Sequence, residues 1–187
     1  MKVILASTSP RRRSLLELLL SDFTCEAPDV DERLKVEETP RSYVSRLAIM
    51  KAFAVEAPGA LILGADTTVT VGASVLGKPR DREHATHMLS LLSGRSHEVL
   101  TAVAARCDDV IESCIVSTIV TFVELSPQNI AGYLDTPEPW DKAGAYAIQG
   151  RGGVFVQRIE GSYSSVVGLP LAETRALMAS FGVGLDW

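Results

Sequence analysis

The sequence predicts an α/β fold in which an elongated mixed β-sheet is flanked by helices. The front part of the chain alternates strand and helix patterns, as parallel strands require. The middle holds two long β-rich runs, at 97–107 and 110–125, which predict an antiparallel hairpin. No repeat, linker or biased segment interrupts the 187 residues. We therefore expect one domain over residues 1–187.

Apolar runs that end in turn residues predict the remaining strands. We expect buried strands at 2–7 and 61–71 and a shorter strand at 154–159. The polar triplet Asp66-Thr67-Thr68 is expected to interrupt the strand at 61–71. Polar groups at such a position are typical of the functional side chains of α/β sheets.

Capping residues followed by helical spacing predict the helices. The start signals are, in chain order, Ser9-Pro10, Thr39-Pro40, Asp81, Ser126-Pro127 and Pro170. We expect the first helix to continue through Leu20, the third to end at Gly94 and the last to end before Gly182.

The composition limits the classes of partner. With 47% hydrophobic and 22% charged residues, the chain can bury a core of its own. A net charge of -5 disfavours binding to nucleic acid or to an anionic membrane surface. No apolar run is long enough to span a membrane, so we expect a cytoplasmic protein. Cys25, Cys107 and Cys114 are widely spaced, and we predict that they are packing residues.

Three consecutive arginines follow the first helix start. Arg11, Arg12 and Arg13 lie where the helix dipole disfavours cations by about 0.3 to 1 kcal/mol each. An anion would offset this cost, and the hydroxyl of Ser7 and free backbone N–H groups would help to bind it. The sequence therefore predicts a phosphate site here. The alternative is that the arginines only solubilise a leucine-rich helix.

Two lysines are further candidates for binding an anion. Lys51 shares a helical stripe with Leu47 and Ala54, so it either extends past the edge of the core or points into a cleft. Lys78 lies in the loop Gly77-Lys78-Pro79-Arg80, where it is either a ligand or a solvated charge.

Asp66 is a carboxylate inside an apolar strand. It is suited to accepting a proton from water or to holding a divalent cation, and Glu32 is a candidate to share that cation. The alternative for the acidic run at 29–32 is ordinary loop solvation. His84 and His87 share a helical face without a third ligand, so we expect them to be surface residues.

Two loops offer donors and acceptors suited to a nucleobase or a ribose. They cover residues 146–150, with Gln149, and residues 161–165, although ordinary turns have a similar composition. The sequence contains neither a P-loop nor a strand-linked G-x-G-x-x-G motif, so the two commonest nucleotide-binding folds lack support.

Together these motifs resemble the Maf family of nucleoside triphosphate pyrophosphatases. The matching segments are Leu5-Ala6-Ser7-Thr8-Ser9-Pro10-Arg11-Arg12-Arg13, Asp31-Glu32, Lys51, Gly64-Ala65-Asp66-Thr67, Gly77-Lys78-Pro79 and Ser93-Gly94-Arg95-Ser96-His97-Glu98-Val99. Residues 141–150 and 161–171 resemble the branch of the family that acts on dTTP and UTP.

The resemblance implies two lobes with a deep central cleft, similar to the inosine triphosphate pyrophosphatases. It also implies hydrolysis of a nucleoside triphosphate to the monophosphate and pyrophosphate, assisted by Mg²⁺ or Mn²⁺. By resemblance, Asp66 accepts the proton of the attacking water and Glu32 helps to hold the metal or the water. The phosphate-binding cations implied are Arg12, Arg13, Lys51 and Lys78. The positions implied in substrate choice are Arg12, Thr67 and Gln149.

The resemblance leaves several functions open. The expected partner is a small nucleoside triphosphate, with no nucleic acid or membrane, and a homodimer is compatible with the family. One alternative is a pyrophosphatase for modified or non-standard nucleotides. Another is a nucleotide-binding regulator of septum formation, which would need no residue that activates water.

Overall fold

The structure, a computed structural model, describes all 187 residues from Met1 to Trp187 and contains one mixed β-sheet. The strands are β1 (Val3–Ala6), β2 (Thr24–Glu26), β3 (Leu61–Val71), β4 (Ser74–Leu76), β5 (Ser96–Cys107), β6 (Val110–Phe122) and β7 (Val156–Glu160). Their order is β2-β1-β3-β5-β6-β7, and β4 pairs with β3. The pairs of β1 with β2 and with β3 are parallel, whereas all the other pairs are antiparallel. The mixed sheet and the long β5–β6 hairpin are therefore confirmed.

Six α-helices flank the sheet. They are α1 (Pro10–Leu16), α2 (Pro40–Phe53), α3 (Arg82–Leu92), α4 (Pro127–Leu134), α5 (Tyr163–Val167) and α6 (Leu171–Ser180). Three short 3₁₀ turns lie at Pro139–Asp141, Ala143–Ala145 and Arg151–Phe155. The predicted caps of α1 to α4 are confirmed, because each cap side chain accepts a backbone N–H three residues later. None of the helices has the length and apolarity needed to cross a membrane.

Two predictions about local structure were wrong. The first helix ends at Leu16 instead of Leu20, and tighter turns follow in which Leu18 and Leu19 donate to carbonyls three residues earlier. Leu19 and Leu20 are nevertheless buried, and they pack in the same apolar cluster as the α1 side chains. Strand β3 is also continuous through its polar triplet, because β5 pairs with it along that whole stretch.

Three apolar clusters surround the sheet. The first contains α1 and α6 side chains packed against one face of β1, β3 and β5. The second contains α2 side chains packed against the opposite face of the same strands. The third contains α3 and α4 side chains and lies around the far parts of β3, β5 and β6. The first two clusters and the third form two lobes at opposite ends of the sheet.

Helix α2 lies very close to β3 at Gly64. A Cβ atom on Gly64 would lie 2.6 Å from the backbone nitrogen of Ala52. Only glycine permits this approach, which brings the α2 residue Lys51 next to β3.

Candidate active site

A gap in the sheet creates the cleft. Strand β1 pairs with β3 only as far as Gly64, and β4 begins to pair at Val69. Residues 65–68 of β3 therefore have a neighbouring strand, β5, on one side only. A cleft of about 570 Å³ lies here and is lined by Ala6 and Ser7, by the start of α1 and by β3 residues 66–69. This volume is in the usual range for a small-molecule site.

The cleft is positively charged within an acidic protein. It is lined by five cationic side chains and three carboxylates, namely Arg11, Arg12, Lys51, Lys78, Lys142, Glu32, Asp66 and Asp141. The whole chain carries a net charge of -5. The cations are thus concentrated in the cleft, as the binding of a small polyanion requires.

Lys51 joins the two predicted catalytic carboxylates. Its Nζ lies 2.7 Å from Asp66 Oδ1 and 2.7 Å from Glu32 Oε1. The side chains of Lys51 and Asp66 are buried, whereas that of Glu32 is half-exposed. Lys51 therefore points into the cleft, which settles the alternative that the sequence left open.

The two carboxylates differ in their electrostatics. Burial raises the pKa of Asp66 above its ordinary value, although Lys51 and Arg12 oppose the shift. The pKa of Glu32 lies below its ordinary value. Burial acts to raise it, but the hydrogen bond and charge of Lys51 and the charges of Lys78 and Arg12 together outweigh burial. The shift at Asp66 makes that carboxylate a better proton acceptor than an exposed aspartate, as proton transfer from water requires.

The loop that carries Glu32 is held by two residues of α2. The hydroxyl of Tyr43 donates to the Glu32 carbonyl at 2.9 Å, and Arg46 Nη2 donates to the Arg33 carbonyl at 3.1 Å. Arg46 also binds both carboxylate oxygens of Glu38, at 2.6 and 2.7 Å. These hydrogen bonds hold the irregular loop that carries Glu32 against α2.

Arg12 reaches the cleft from the first turn of α1. Its Nε donates to the Gly168 carbonyl at 2.8 Å, and its Nη2 donates to Thr67 Oγ1 at 3.2 Å. Burial lowers the pKa of Arg12, and the charge of Asp66 opposes this shift. Ser7 shapes the approach to α1, since its Oγ accepts the N–H of Ser9 at 3.1 Å. Both predicted residues line the cleft.

Arg13 lies outside the cleft, and the structure does not support its prediction as a phosphate ligand. Its side chain is two-thirds exposed, and its Nε donates to Glu17 Oε1 at 3.0 Å. Of the three consecutive arginines that predicted a phosphate site, Arg11 and Arg12 line the cleft and Arg13 does not. Arg11, which the family resemblance did not include among the phosphate-binding cations, pairs with Asp141 at 3.4 Å.

Lys78 and Gln149 lie on the opposite lobe, and both are exposed within the cleft. The loop of Lys78 is tied to the Ala143–Ala145 turn, because the Gly144 N–H donates to the Gly77 carbonyl at 3.1 Å. The carboxylate of Glu138 stabilises the loop that follows Gln149 by accepting backbone N–H groups of Arg151 and Gly152, at 2.8 and 2.9 Å.

Sequence reasoning missed three charged or polar residues of the cleft, namely Tyr43, Asp141 and Lys142. Asp141 and Lys142 fall in the segment 141–150 that carried the family resemblance, which was a usable signal. Tyr43 gave no such signal, because its spacing on α2 is also that of a core residue.

Glu32 and Asp66 fit a divalent cation that also binds a polyphosphate. Lys51 Nζ binds one oxygen of each, Glu32 Oε1 and Asp66 Oδ1, at 2.7 Å, so the second oxygen of each carboxylate remains for a cation. The protein forms no cluster of three or more metal-binding side chains. Proteins commonly hold Mg²⁺ through one or two carboxylates together with substrate phosphates and water. The donor set suits this arrangement better than an all-protein cage.

The fold and the cleft define an α/β enzyme with a cationic site for a phosphorylated small molecule. Residues 2–181 match the family model described as Maf-like protein. The chain belongs to the Maf family.

Several relatives carry the name dTTP/UTP pyrophosphatase. The chain is 52% identical over 189 residues to that of Myxococcus xanthus, covering 99% of this chain and 95% of the relative. It is 53% identical over 185 residues to that of Photorhabdus laumondii, with coverages of 97% and 95%. It is 47% identical over 184 residues to that of Bacillus velezensis, with both coverages at 97%. The Staphylococcus aureus Ham1 structure is 15% identical, with a TM-score of 0.46 over 67% of this chain and 72% of that one.

Proposed function

We propose that this protein hydrolyses dTTP and UTP to the monophosphate and pyrophosphate. The observation that carries the proposal is the buried Asp66 carboxylate in a cleft lined by five cations. Relatives of near-equal length and about half-identical sequence bear the corresponding name. A binding protein would not need a base with a raised pKa at the centre of its cationic site.

The cations of the cleft bind the triphosphate. A nucleoside triphosphate brings about four negative charges, so several cations must neutralise it and the pyrophosphate that leaves. Arg12, Lys51 and Lys78 are the cations that both the sequence and the cleft support. Arg11 also lines the cleft and adds a cation in place of Arg13, which the family resemblance implied.

Asp66 activates the water. The water oxygen attacks the α-phosphorus, and one of its protons passes to the Asp66 carboxylate. The bond between the α-phosphorus and the bridging oxygen breaks, and pyrophosphate leaves with that oxygen and the bonding electron pair. Lys51 holds the Asp66 carboxylate in place, and its positive charge stabilises the ionised form. General-base catalysis of this kind contributes about 10²- to 10⁴-fold to a rate.

Glu32 and Asp66 would hold a divalent cation, Mg²⁺ or Mn²⁺, when the triphosphate is bound. When bound, this cation neutralises charge that gathers on the leaving group. The nearness of the two carboxylates, each of which gives only one oxygen to Lys51, supports this arrangement.

Gln149 selects the base. Its amide provides one donor and one acceptor, which match the O4 and N3–H edge that thymine and uracil share. A pocket that accommodates the 5-methyl group accepts both bases, because one methyl group discriminates weakly.

The central test is Asp66→Asn. We expect turnover of dTTP to fall by about 10²- to 10⁴-fold with an unchanged melting curve and retained nucleotide binding. Turnover is measured as released pyrophosphate against orthophosphate, with Asp31→Asn as a matched control outside the cleft. Full activity of Asp66→Asn would refute the mechanism.

A nucleotide panel tests the substrate. We expect dTTP and UTP to exceed ITP, XTP and 7-methyl-GTP in kcat/KM. A reversed order would favour the alternative of a pyrophosphatase for non-standard nucleotides, and tight binding without cleavage in Mn²⁺ would favour a nucleotide-binding regulator.

The metal is tested by titration. We expect Glu32→Gln to raise the Mn²⁺ concentration for half-maximal activity by about tenfold or more, and Mn²⁺ electron paramagnetic resonance with bound nucleotide to show the same shift. An unchanged Mn²⁺ titration would show that Glu32 does not bind the metal.

We also propose that the protein acts in the cytoplasm on the free nucleotide pool. The cleft of small-molecule size carries more cations than carboxylates although the whole chain is acidic, which supports a small partner over nucleic acid or a membrane. A homodimer stays a prediction, which sedimentation of the purified protein checks.

A further inference from the structure

We propose that Thr101 is a positioning residue for Arg12 and acts through Thr67. Thr101 lies on β5, directly opposite Thr67 of β3 in the antiparallel register. Its side chain is fully buried, and it does not line the cleft. Any effect on the substrate must therefore pass through its neighbours.

The hydroxyl of Thr101 connects the sheet to α5. Thr101 Oγ1 lies 3.0 Å from Thr67 Oγ1 and donates to the Ser165 carbonyl at 2.8 Å. Thr67 Oγ1 in turn accepts from Arg12 Nη2 at 3.2 Å. The three hydrogen bonds form a chain from Arg12 through Thr67 and Thr101 to the Ser165 carbonyl.

The Thr67 oxygen is the acceptor on which two of these hydrogen bonds meet. A guanidinium can only donate hydrogen bonds and a carbonyl can only accept them. The Thr101 hydroxyl donates towards the Ser165 carbonyl and towards Thr67 Oγ1. Thr67 Oγ1 therefore accepts from Thr101 on the β5 side and from Arg12 Nη2 on the other side. Without the Thr101 hydroxyl, Thr67 Oγ1 loses the donor that fixes its orientation, and its lone pairs are no longer held towards Arg12.

Arg12 depends on this contact because it has few others. Its second contact is the Gly168 carbonyl, which follows directly after α5. Gly168 has φ +131°, a backbone conformation that favours glycine. Thr101 thus holds the first contact of Arg12 through Thr67, whereas the segment that carries the second is also held by Thr118 through Ser162. Two contacts of a planar guanidinium fix its plane and leave three of its five N–H groups for the substrate.

The kinetic test rests on the proposed function and uses Thr101→Val, which keeps the shape of the side chain. We expect kcat/KM for dTTP to fall by at least about tenfold, mainly through KM, because a displaced guanidinium weakens substrate binding. A purely structural loss would reduce the active fraction, which lowers kcat and leaves KM unchanged. Thr101→Ser keeps the hydroxyl and should restore KM.

Thr118→Val is the matched control. Thr118 is fully buried on the neighbouring strand β6 and binds the Ser162 N–H at 3.1 Å, without contact to Thr67 or Arg12. We expect this variant to lose stability without a change in KM. An equal rise in KM in both variants would overturn the proposal.

A double-mutant cycle tests the route. If Thr101 acts through Arg12, Thr101→Val should have little further effect on KM in an Arg12→Ala protein. The same factor in both backgrounds would overturn the proposal.

A readout without substrate separates this proposal from the proposed function. In ¹H–¹⁵N spectra of the free protein, the Arg12 Nε–H should exchange with water faster in Thr101→Val and at the wild-type rate in Thr118→Val. An unchanged rate in Thr101→Val would overturn the positioning role whatever the nucleotide specificity proves to be.

Discussion

The ammonium of Lys51 and the carboxylate of Asp66 form a buried ion pair with a separation of 2.7 Å. The pair joins α2 to β3 at the place where the close approach of Gly64 allows the two elements to touch. It lies in the gap of the sheet, where a polar group is accessible to a ligand while its surroundings exclude most water. The ion pair is therefore both a structural contact and the centre of the proposed chemistry.

The cost of breaking this pair is the first prediction. Lys51→Met leaves the Asp66 charge buried without its main partner, so we expect the free energy of unfolding to fall by about 3 kcal/mol. Urea unfolding at neutral pH measures the change. Adding Asp66→Asn to Lys51→Met should recover much of the loss, because the buried carboxylate charge is then removed together with its ammonium partner. Glu32→Gln should cost less than about 1 kcal/mol, since Glu32 is half-exposed.

The two arginines of the first helix should differ sharply in function. Arg12→Ala removes a guanidinium that lines the cleft, so we expect kcat/KM for dTTP to fall by at least about tenfold. Arg13→Ala removes an exposed side chain paired only with Glu17, and its kinetics should match the wild type. Steady-state kinetics at fixed ionic strength checks both. Similar losses in the two variants would show that Arg13 also binds the substrate.

The close approach of α2 to β3 should not tolerate a methyl group. Gly64→Ala forces the helix away from the strand, and we expect a loss of about 1 to 3 kcal/mol in stability. Activity should fall as well, since the displaced helix carries Lys51. Gly132→Ala is the control, because a Cβ there meets no atom within 4 Å and alanine favours a helix. A Gly64→Ala protein with wild-type melting and turnover would contradict this packing.

Acid stability should depend on His97. This residue is 3% exposed, its Nε2 lies 2.9 Å from the Tyr146 hydroxyl, and burial lowers its pKa from 6.5 to about 4. The unfolded chain therefore binds more protons between these values than the folded chain. The stability from a neutral His97 is complete above pH 6.5 and is lost as the pH falls towards 4, by at most about 3 kcal/mol.

His97→Gln tests this prediction. The Gln amide reaches the position of Nε2 and keeps a hydrogen bond to Tyr146 but does not titrate. Urea unfolding from pH 4 to 7 should show a smaller loss of stability in acid for the variant. Parallel curves for the two proteins would exclude His97 as the source.

Much of the fold was predictable because its signals are local. A capping side chain acts within three residues, and the capping residues of α1 to α4 were identified correctly. The β5–β6 hairpin follows from two adjacent runs joined by a short turn. Strands β2 and β4 have three residues each, too few to show a periodicity, and both were missed.

The site was predictable in part. Asp66 was evident as a charge in an apolar strand and Glu32 as a candidate to share a cation with it, and the resemblance supplied their roles in catalysis. The choice between Arg12 and Arg13 was beyond the sequence, because both occupy one helical turn and only the packing of α1 decides which one faces the cleft. The contacts of Arg12 join residues 55 and 156 positions apart, for which no local pattern exists.

The sequence by itself determined the class of fold, the family and the presence of an anionic partner for an acidic protein. These follow from periodicity, motifs and charge, which are properties of short segments. The tertiary structure decided that Lys51 pairs with both carboxylates, that Arg11 and Arg12 but not Arg13 line the cleft, and that Thr101 contacts Thr67 beside Arg12. Each of these facts depends on distant segments meeting at the gap in the sheet, and their side chains acquire partners only when the chain has folded.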